Sequence, residues 1–294
     1  MYRKFKHFIK RILNALAPHT AGRIVDVYRQ RQFKRYYKRI GGVRITKEFI
    51  TKCGTKVLAG PFAGMIYVEQ SVGSLLLPKL VGSYECEIKN IVEEICTGDY
   101  DTIIDVGSAE GYYAVGFARR MSDVRIVAFE SEVKGRKLCK KMAAINNIEN
   151  RITQRGSCDP KNLSESLAES LGRQLVICDV EGYEIDLLDP ELVPGLRNAD
   201  MLVEFHDHFN SAISETILKR FRETHDCETI LSTSRDPKDY PILNCLKPED
   251  RALPLDEYRP VQQFAWMRAR QSPTVSVSIA TSIHDRSLES ARKT

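Results

Sequence analysis

The chain has 294 residues, 43% of them hydrophobic and 28% charged, which is the composition of an ordinary globular protein with one large core. No stretch approaches the ~18–20 apolar residues that cross a bilayer, and the N-terminus lacks the long apolar region of a secretory signal. The net charge of +5 is uneven: residues 1–40 contain twelve Lys or Arg and one acid, a charge of +11, so the other 254 residues carry −6. A basic catalytic domain that grips nucleic acid is therefore not indicated.

Eight cysteines are present, but none forms a C-x-x-C pair. A zinc site or a disulfide framework would need tighter clustering. We expect buried free thiols, a reducing compartment and hence a cytoplasmic protein.

Residues 1–40 predict a basic helical extension, because apolar residues from Phe5 to Leu16 recur on one helix face and Pro18 follows them. Three interpretations of residues 1–17 stay open. The first is that the helix packs on its own domain or on a second copy in a homo-oligomer. The second is that it lies on an anionic inner membrane surface, and the third is that it forms a targeting segment. Tyr36 and Tyr37 leave RNA binding by the arm as a less favoured alternative.

Residues 41–80 alternate short β-like runs with Gly and Pro, which predicts a small strand-rich segment, and residues 83–96 predict a helix. Residues 81–270 form the predicted main domain. Its strands alternate with helices, which is typical of a doubly wound, mostly parallel α/β sheet. Within it, the Pro-rich residues 233–262 predict an irregular cap, and residues 271–294 predict a disordered tail. The predicted strands are TIIDV, RIVAFE, RITQRG, QLVICDV, MLVEFH, CETILS and FAWMRAR.

The first predicted strand of the sheet leads into a candidate cofactor site. It ends at Asp105, a tight turn follows with Gly107 and Gly111, and then a helix begins. Ligands of such sheets bind at the carboxyl ends of the strands, where the strand order reverses. Glu130 ends the next strand, nineteen residues after Gly111, and its carboxylate can accept hydrogen bonds from both ribose hydroxyls of an adenosine.

The acids of this turn bear on which adenosine ligand binds. Asp105 and Glu110 would repel the pyrophosphate of a dinucleotide, but they suit a ligand with a sulfonium and an ammonium group. We therefore expect S-adenosylmethionine as the ligand. The alternative for Glu110 is a structural role, in which its negative charge stabilises the N-terminus of the helix that follows the turn. Asp159, after the third strand, is expected either to accept from the adenine amino group or to cap a helix.

Several of these motifs resemble the FkbM-type family of class I methyltransferases. IDVGSAEGYYAVGFA resembles the family's glycine motif, VAFE its ribose-binding strand end, CDVEGYEIDLL its D-V-E-G-x-E signature, LVEFHDHF its following strand and GSYECEI its lead-in. The similarity covers about residues 80–232. It implies a Rossmann-like methyltransferase fold and O-methylation of sugars, glycans or secondary metabolites.

The ends of the fourth and fifth predicted strands face the expected methyl group. Asp179, Glu181 and Glu184 follow the fourth strand, and Glu204 to His208 end the fifth. A neutral imidazole suits proton removal near pH 7, so His206 is the first candidate for a general base and Glu181 the second. Asp179 is expected near the sulfonium, where it positions the methionine moiety or the acceptor.

A divalent metal is not expected, but the same strand ends leave it as an alternative. Asp179, His206 and Asp207 offer suitable donor atoms. Side chains of adjacent strand residues point to opposite faces, so His206 and Asp207 cannot both face the site unless the strand has ended.

The leading functional hypothesis is an S-adenosylmethionine-dependent O-methyltransferase. The alternatives are an NAD-dependent oxidoreductase on a related fold, and a non-catalytic protein that binds a membrane surface or a partner.

Overall fold

The computed structural model describes residues 32–170 and 172–270. The predicted amphipathic face in residues 1–17 and the predicted tail of residues 271–294 lie outside the described residues. Within the described part of the chain, no helix is both long and apolar enough to cross a bilayer.

A seven-stranded sheet with the order β3-β2-β1-β4-β5-β7-β6 forms the centre of the protein. Strands β1 to β5 pair in parallel, and β7 runs antiparallel to both β5 and β6. The strand bounds are β1 Thr102–Val106, β2 Arg125–Phe129, β3 Ile152–Arg155, β4 Gln174–Cys178, β5 Asp200–Phe205, β6 His225–Leu231 and β7 Gln263–Ala269. The predicted mostly parallel α/β fold is confirmed, and the strand order reverses between β1 and β4.

Helices cover both faces of this sheet. Residues 32–39 are helical. The further helices are α1 Gly42–Cys53, α2 Leu76–Val81, α3 Lys89–Thr97, α4 Tyr112–Arg120, α5 Val133–Ile145, α6 Pro160–Ala168, α7 Glu184–Leu187 and α8 Ile213–Phe221. Successive residues of β1 belong to two different apolar clusters, Ile103 to one and Ile104 to the other, because strand side chains alternate between faces.

Residues 41–80 differ from the strand-rich segment that the sequence predicts. They contain α1, α2 and a single isolated bridge between Lys56 and Ile66. Ile45 and Phe49 lie one helical turn apart on α1 and are buried in the same apolar cluster as Ile103 of the sheet. Tertiary burial on one helix face outweighs the local β-like pattern here, and the segment is part of the main core.

The helix predicted over residues 83–96 begins later than expected, with a 3-10 turn at Cys86–Ile88 followed by α3. The predicted irregular cap of residues 233–262 contains four short 3-10 turns between β6 and β7. All eight cysteines are free thiols, although only Cys139 and Cys178 are fully buried and Cys227 is exposed.

Candidate functional site

The loop after β1 is fixed by its glycines and by contacts with both neighbouring strands. Gly107 and Gly111 have φ angles of 90° and 92°. The N–H groups of Gly107 and Ser108 both donate to the Phe129 carbonyl at 3.0 Å, at the end of β2. A Cβ atom on Gly107 would lie 1.7 Å from the Asp179 carbonyl oxygen, so only glycine allows the loop to approach β4 this closely.

Glu130 lies directly against this loop. The sequence predicts this position, because the glycine turn and the carboxylate of Glu130 are expected to bind the same ligand. One carboxylate oxygen accepts from the Ala109 N–H at 2.8 Å, and the other accepts from the Glu132 N–H at 2.6 Å. Each carboxylate oxygen has two lone pairs, so the oxygen bound by Ala109 can accept a further hydrogen bond, whereas the other also accepts from the Ser131 hydroxyl at 3.5 Å. The structure therefore brings Gly107, Gly111 and Glu130 together at the carboxyl ends of β1 and β2.

Asp105 is buried below the loop, where one of its oxygens accepts from the Ala114 N–H in the first turn of α4 at 3.1 Å. Burial raises the pKa of this carboxyl group to about 7, and the charges of Asp179 and Glu130 add to the effect. The site thus contains an acid whose ionised form is unfavourable until a cation approaches it.

Glu110 lies in a different environment from the one that the sequence suggests. It is fully buried, and it accepts from Lys79 Nζ at 2.5 Å, Tyr67 Oη at 2.6 Å and the Val72 N–H at 2.8 Å. The Lys79 ion pair offsets its negative charge, and both its oxygens are occupied. The expectation that Glu110 presents negative charge to the ligand is corrected accordingly, because Glu110 binds the segment that precedes the sheet.

Asp159 is exposed and forms the N-cap of α6, where its side chain accepts from the Asn162 N–H at 2.8 Å. The capping interpretation is thus observed. A contact between Asp159 and the adenine amino group stays a prediction.

The ends of β4 and β5 bring Asp179, Glu181 and His206 together. His206 Nε2 lies 3.5 Å from Asp179 Oδ1 and 3.7 Å from Glu181 Oε2, and His206 Nδ1 is 2.5 Å from Glu184 Oε1. Asp207 does not join them, since its side chain accepts from the Ser214 N–H at 3.0 Å. The alternative ligand set with Asp207 is therefore not the one that the fold assembles.

The protonation of His206 differs from the expected neutral imidazole. Burial lowers its pKa, but the hydrogen bond with Glu184 and the charges of Asp179 and Glu204 outweigh burial and raise the pKa to about 9. These contacts favour the protonated ring while no other cation is present, and the role of His206 as the general base stays a prediction.

A buried ionic cluster that the sequence analysis missed adjoins these side chains. Arg259, in the Pro-rich cap, lies 3.2 Å from Glu85, 2.9 Å from Glu204 and 2.8 Å from Glu257. Glu85 also accepts a hydrogen bond from the Tyr113 hydroxyl at the start of α4. We refer to Glu85, Glu204, Glu257 and Arg259 as the Arg259 cluster. The available sequence signals were the lead-in motif GSYECEI and the single Glu in the strand MLVEFH.

Burial is the main reason why the pKa of Glu204 lies well above its usual range, and the nearby Asp179 and Glu85 raise it further. The Arg259 cluster therefore extends the row of acids from β1 and β4 to β5. Within the described residues, the ion pairs to these acids come from Arg259 and His206, and Arg235 adds a pair with Glu257 of the cluster.

No protein-family model and no curated protein matches the sequence. Solved structures with a similar fold include the O-methyltransferase TomG from Streptomyces achromogenes in complex with SAM, at 15% identity and a TM-score of 0.38, covering 57% of this chain and 73% of that one. A precorrin-6y C5,15-methyltransferase from Geobacter metallireducens GS-15 has 13% identity and a TM-score of 0.40, covering 63% of this chain and 89% of that one. An O-methyltransferase from Bacillus cereus in complex with SAH has 11% identity and a TM-score of 0.37, covering 57% of this chain and 74% of that one.

Proposed function

We propose that the protein is an S-adenosylmethionine-dependent O-methyltransferase that acts on a hydroxyl group of a sugar, a glycan or a secondary metabolite. The observation that supports this most directly is the row of acids at the carboxyl ends of the central strands, where the strand order reverses. Asp105, Glu130 and Glu204 are buried along this edge, the Asp179 side chain beside them is 40% exposed, and Arg259 and His206 only partly balance their charge.

A cationic donor fits this edge better than a phosphorylated one. The sulfonium and ammonium groups of S-adenosylmethionine would stabilise carboxylates whose pKa burial has raised, as it has for Asp105 and Asp179, both to about 7. A pyrophosphate at the same position would add negative charge to buried acids. Glu110 does not contribute to this preference because Lys79 offsets its charge, whereas the Arg259 cluster contributes three acids against Arg259 and Arg235, which also pairs with Glu257.

The parts of the donor can be assigned to the chain in order. We place the ribose on Glu130, next to Ala109 in the loop after β1 that contains Gly107 and Gly111, which we call the glycine loop. The methionine end then lies toward Asp105 and Asp179, where the raised pKa values favour a positive group. The adenine lies toward the end of β3, near Asp159.

For methyl transfer, the enzyme has to hold the acceptor oxygen ~3 Å from the methyl group and remove its proton. Asp179 and Glu181 supply carboxylates for the proton, and Glu184 holds His206 beside them. The choice of a hydroxyl acceptor rests on the FkbM-type resemblance of CDVEGYEIDLL. The Pro-rich cap and its Arg259 are the parts of the chain best placed to select the acceptor.

Isothermal titration of the full chain with S-adenosylhomocysteine tests the donor assignment. We expect saturable binding, and we expect Glu130→Ala to weaken it by roughly 1–3 kcal/mol through lost ribose hydrogen bonds. Glu132→Ala is the matched control, because Glu132 is an exposed glutamate two residues away and should leave affinity unchanged.

Two results would contradict the proposal. One is a folded full chain that binds neither S-adenosylmethionine nor S-adenosylhomocysteine. The other is a thermal shift with NAD and none with S-adenosylhomocysteine, which would favour the oxidoreductase alternative.

A further inference from the structure

Three side chains with oxygen or nitrogen donors converge at the ends of β4 and β5. One donor atom each from Asp179, Glu181 and His206 lies within 4.8 Å of the other two. Asp179 and Glu181 come from the turn after β4, and His206 follows the last residue of β5, so the pairing of the two strands sets their spacing.

Glu184 fixes the orientation of the histidine in this set. Its carboxylate is fully buried and lies 2.5 Å from His206 Nδ1, so Nδ1 acts as the donor in this bond. His206 itself is only 2% exposed. The remaining ring nitrogen, Nε2, is thereby directed at Asp179 and Glu181, whose side chains are partly open to solvent. A carboxylate that orients a histidine through its second nitrogen is the usual outer partner of a metal-binding imidazole.

The distances leave room for a cation between the three groups. Donors of this kind bind divalent ions at about 2.0–2.2 Å, which places two neighbouring ligand atoms about 3 Å apart. The Nε2–oxygen distances of 3.5 and 3.7 Å exceed this by about 0.5 to 0.7 Å, and all three donor atoms lie within 4.8 Å of one another. Glu181 can close the remainder at low cost, because its side chain is 68% exposed.

We propose that Asp179, Glu181 and His206 bind a divalent cation through two carboxylate oxygens and Nε2, with Glu184 as the positioning residue of the histidine. Two carboxylates and one imidazole suit Mn²⁺ or Mg²⁺ better than a thiol-preferring ion. Such an ion would keep coordination positions for water or an acceptor oxygen and would lower the pKa of a bound hydroxyl group. The inference does not rest on the proposed methyl transfer, since the ligand set is defined without the donor.

The competing explanation is a metal-free ion-pair network in which a protonated His206 lies between the carboxylates. Electron paramagnetic resonance distinguishes the two, because free Mn²⁺ gives a signal that binding removes. The full chain is first treated with EDTA, exchanged into buffer and then titrated with MnCl₂ at pH 7.5.

We expect saturable binding by the full chain, and a loss of more than about 100-fold in Glu181→Gln and Asp179→Asn, each of which removes a ligand. Glu184→Gln should weaken Mn²⁺ binding less, by about 10- to 100-fold, because it alters only the orientation of His206. Asp186→Asn is the matched control: it removes an exposed negative charge from the same short helix without removing a ligand, and should bind Mn²⁺ normally. Glu181→Gln keeps the test informative if buried variants misfold, since an exposed side chain can change without loss of the fold.

Two outcomes overturn the inference: a folded chain that binds no Mn²⁺ in the millimolar range, or an equal loss of affinity in Asp186→Asn and Glu181→Gln, which would indicate diffuse attraction to acidic residues. Titration of S-adenosylhomocysteine in the presence of EDTA separates this failure from a failure of the proposed function. Donor binding through Glu130 should persist there.

Discussion

Buried acids at the carboxyl ends of the central strands are the residues that most constrain the function of this protein. Asp105 has a backbone N–H as its hydrogen-bond partner, not a cation, and its pKa is raised to about 7 mainly by burial. Glu110 has the opposite arrangement, because Lys79 and three further donors surround it and keep its pKa below the usual value despite burial. The two acids are five residues apart in one motif, yet only Asp105 is poised to respond to a cationic ligand.

The raised pKa of Asp105 makes stability depend on pH in a defined direction. The folded chain holds this proton up to about pH 7, whereas the unfolded chain releases it near 3.8. The stabilisation is therefore complete below pH 3.8 and is lost as the pH rises through 7. At roughly 1.4 kcal/mol per pKa unit, the whole effect is about 4 kcal/mol.

Asp105→Asn removes this titration and keeps a hydrogen-bond acceptor for Ala114. We expect the melting temperature of the wild-type chain, relative to that of Asp105→Asn, to fall between pH 5 and about pH 7 in the absence of ligand and to level off at higher pH. Asp123→Asn, at an exposed position, should give a difference that does not change with pH. If the difference in melting temperature between the wild-type chain and Asp105→Asn is also independent of pH, Asp105 is ionised throughout this range.

At the scale of elements, the sheet was predictable and the segment before it was not. Each of the seven strands overlaps a run that the sequence marks. The signal is strongest for β1, β4 and β5, which are buried along almost their whole length and therefore need continuous hydrophobic residues, whereas β6 is mostly exposed. Residues 42–53 instead form a helix, although Val43, Ile45 and Thr46 are β-branched. What decides their structure is the burial of Ile45 and Phe49 against distant residues, which no local pattern contains.

The same distinction applies to the candidate site. Gly107, Gly111 and Glu130 could be predicted because the turn and the next strand are neighbours in sequence and in the sheet. The Arg259 cluster could not, since Arg259 and Glu85 are 174 residues apart and meet only through the path of the cap. The buried partner of Glu110 was missed for the same reason.

The pair formed by Lys79 of α2 and Glu110 of the glycine loop links two elements through buried charges. Lys79→Met would leave an uncompensated carboxylate in the core, and we expect a loss of about 3–5 kcal/mol in the free energy of unfolding by urea. The double variant Lys79→Met/Glu110→Gln should recover part of this loss, because the orphaned charge is gone.

Lys161→Met provides the comparison for the buried pair. Lys161 and Glu165 form a surface pair at 3.9 Å with side chains 83% and 53% exposed, and removing such a pair should cost no more than about 1 kcal/mol. Equal losses for Lys79→Met and Lys161→Met would contradict the view that Glu110 depends on Lys79 for its burial.

At the scale of the whole molecule, the segment before the sheet and the cap between β6 and β7 meet over the carboxyl ends of the strands. Glu85 precedes the sheet, Arg259 belongs to the cap, and Glu204 lies near the end of β5, so one ionic cluster joins three separate parts of the chain. Lys79 ties the same N-terminal segment to the glycine loop. Two parts of the chain that are distant in sequence therefore cover the candidate site, and both contribute side chains to the same apolar cluster of the core.

This arrangement predicts that residues 41–80 are not a separable unit. The segment contributes large buried side chains to the cluster that covers one face of the sheet, among them Phe49, Phe62 and Leu77. Each such side chain is worth about 1.5–3 kcal/mol on burial, and a domain of this size has only about 5–15 kcal/mol of net stability. A chain that begins at residue 82 should therefore fail to unfold cooperatively by circular dichroism, whereas a chain that begins at Gln32 retains the described N-terminal segment and should melt in one transition. A cooperative transition of the shorter chain at the same temperature would instead establish an independent domain boundary near residue 81.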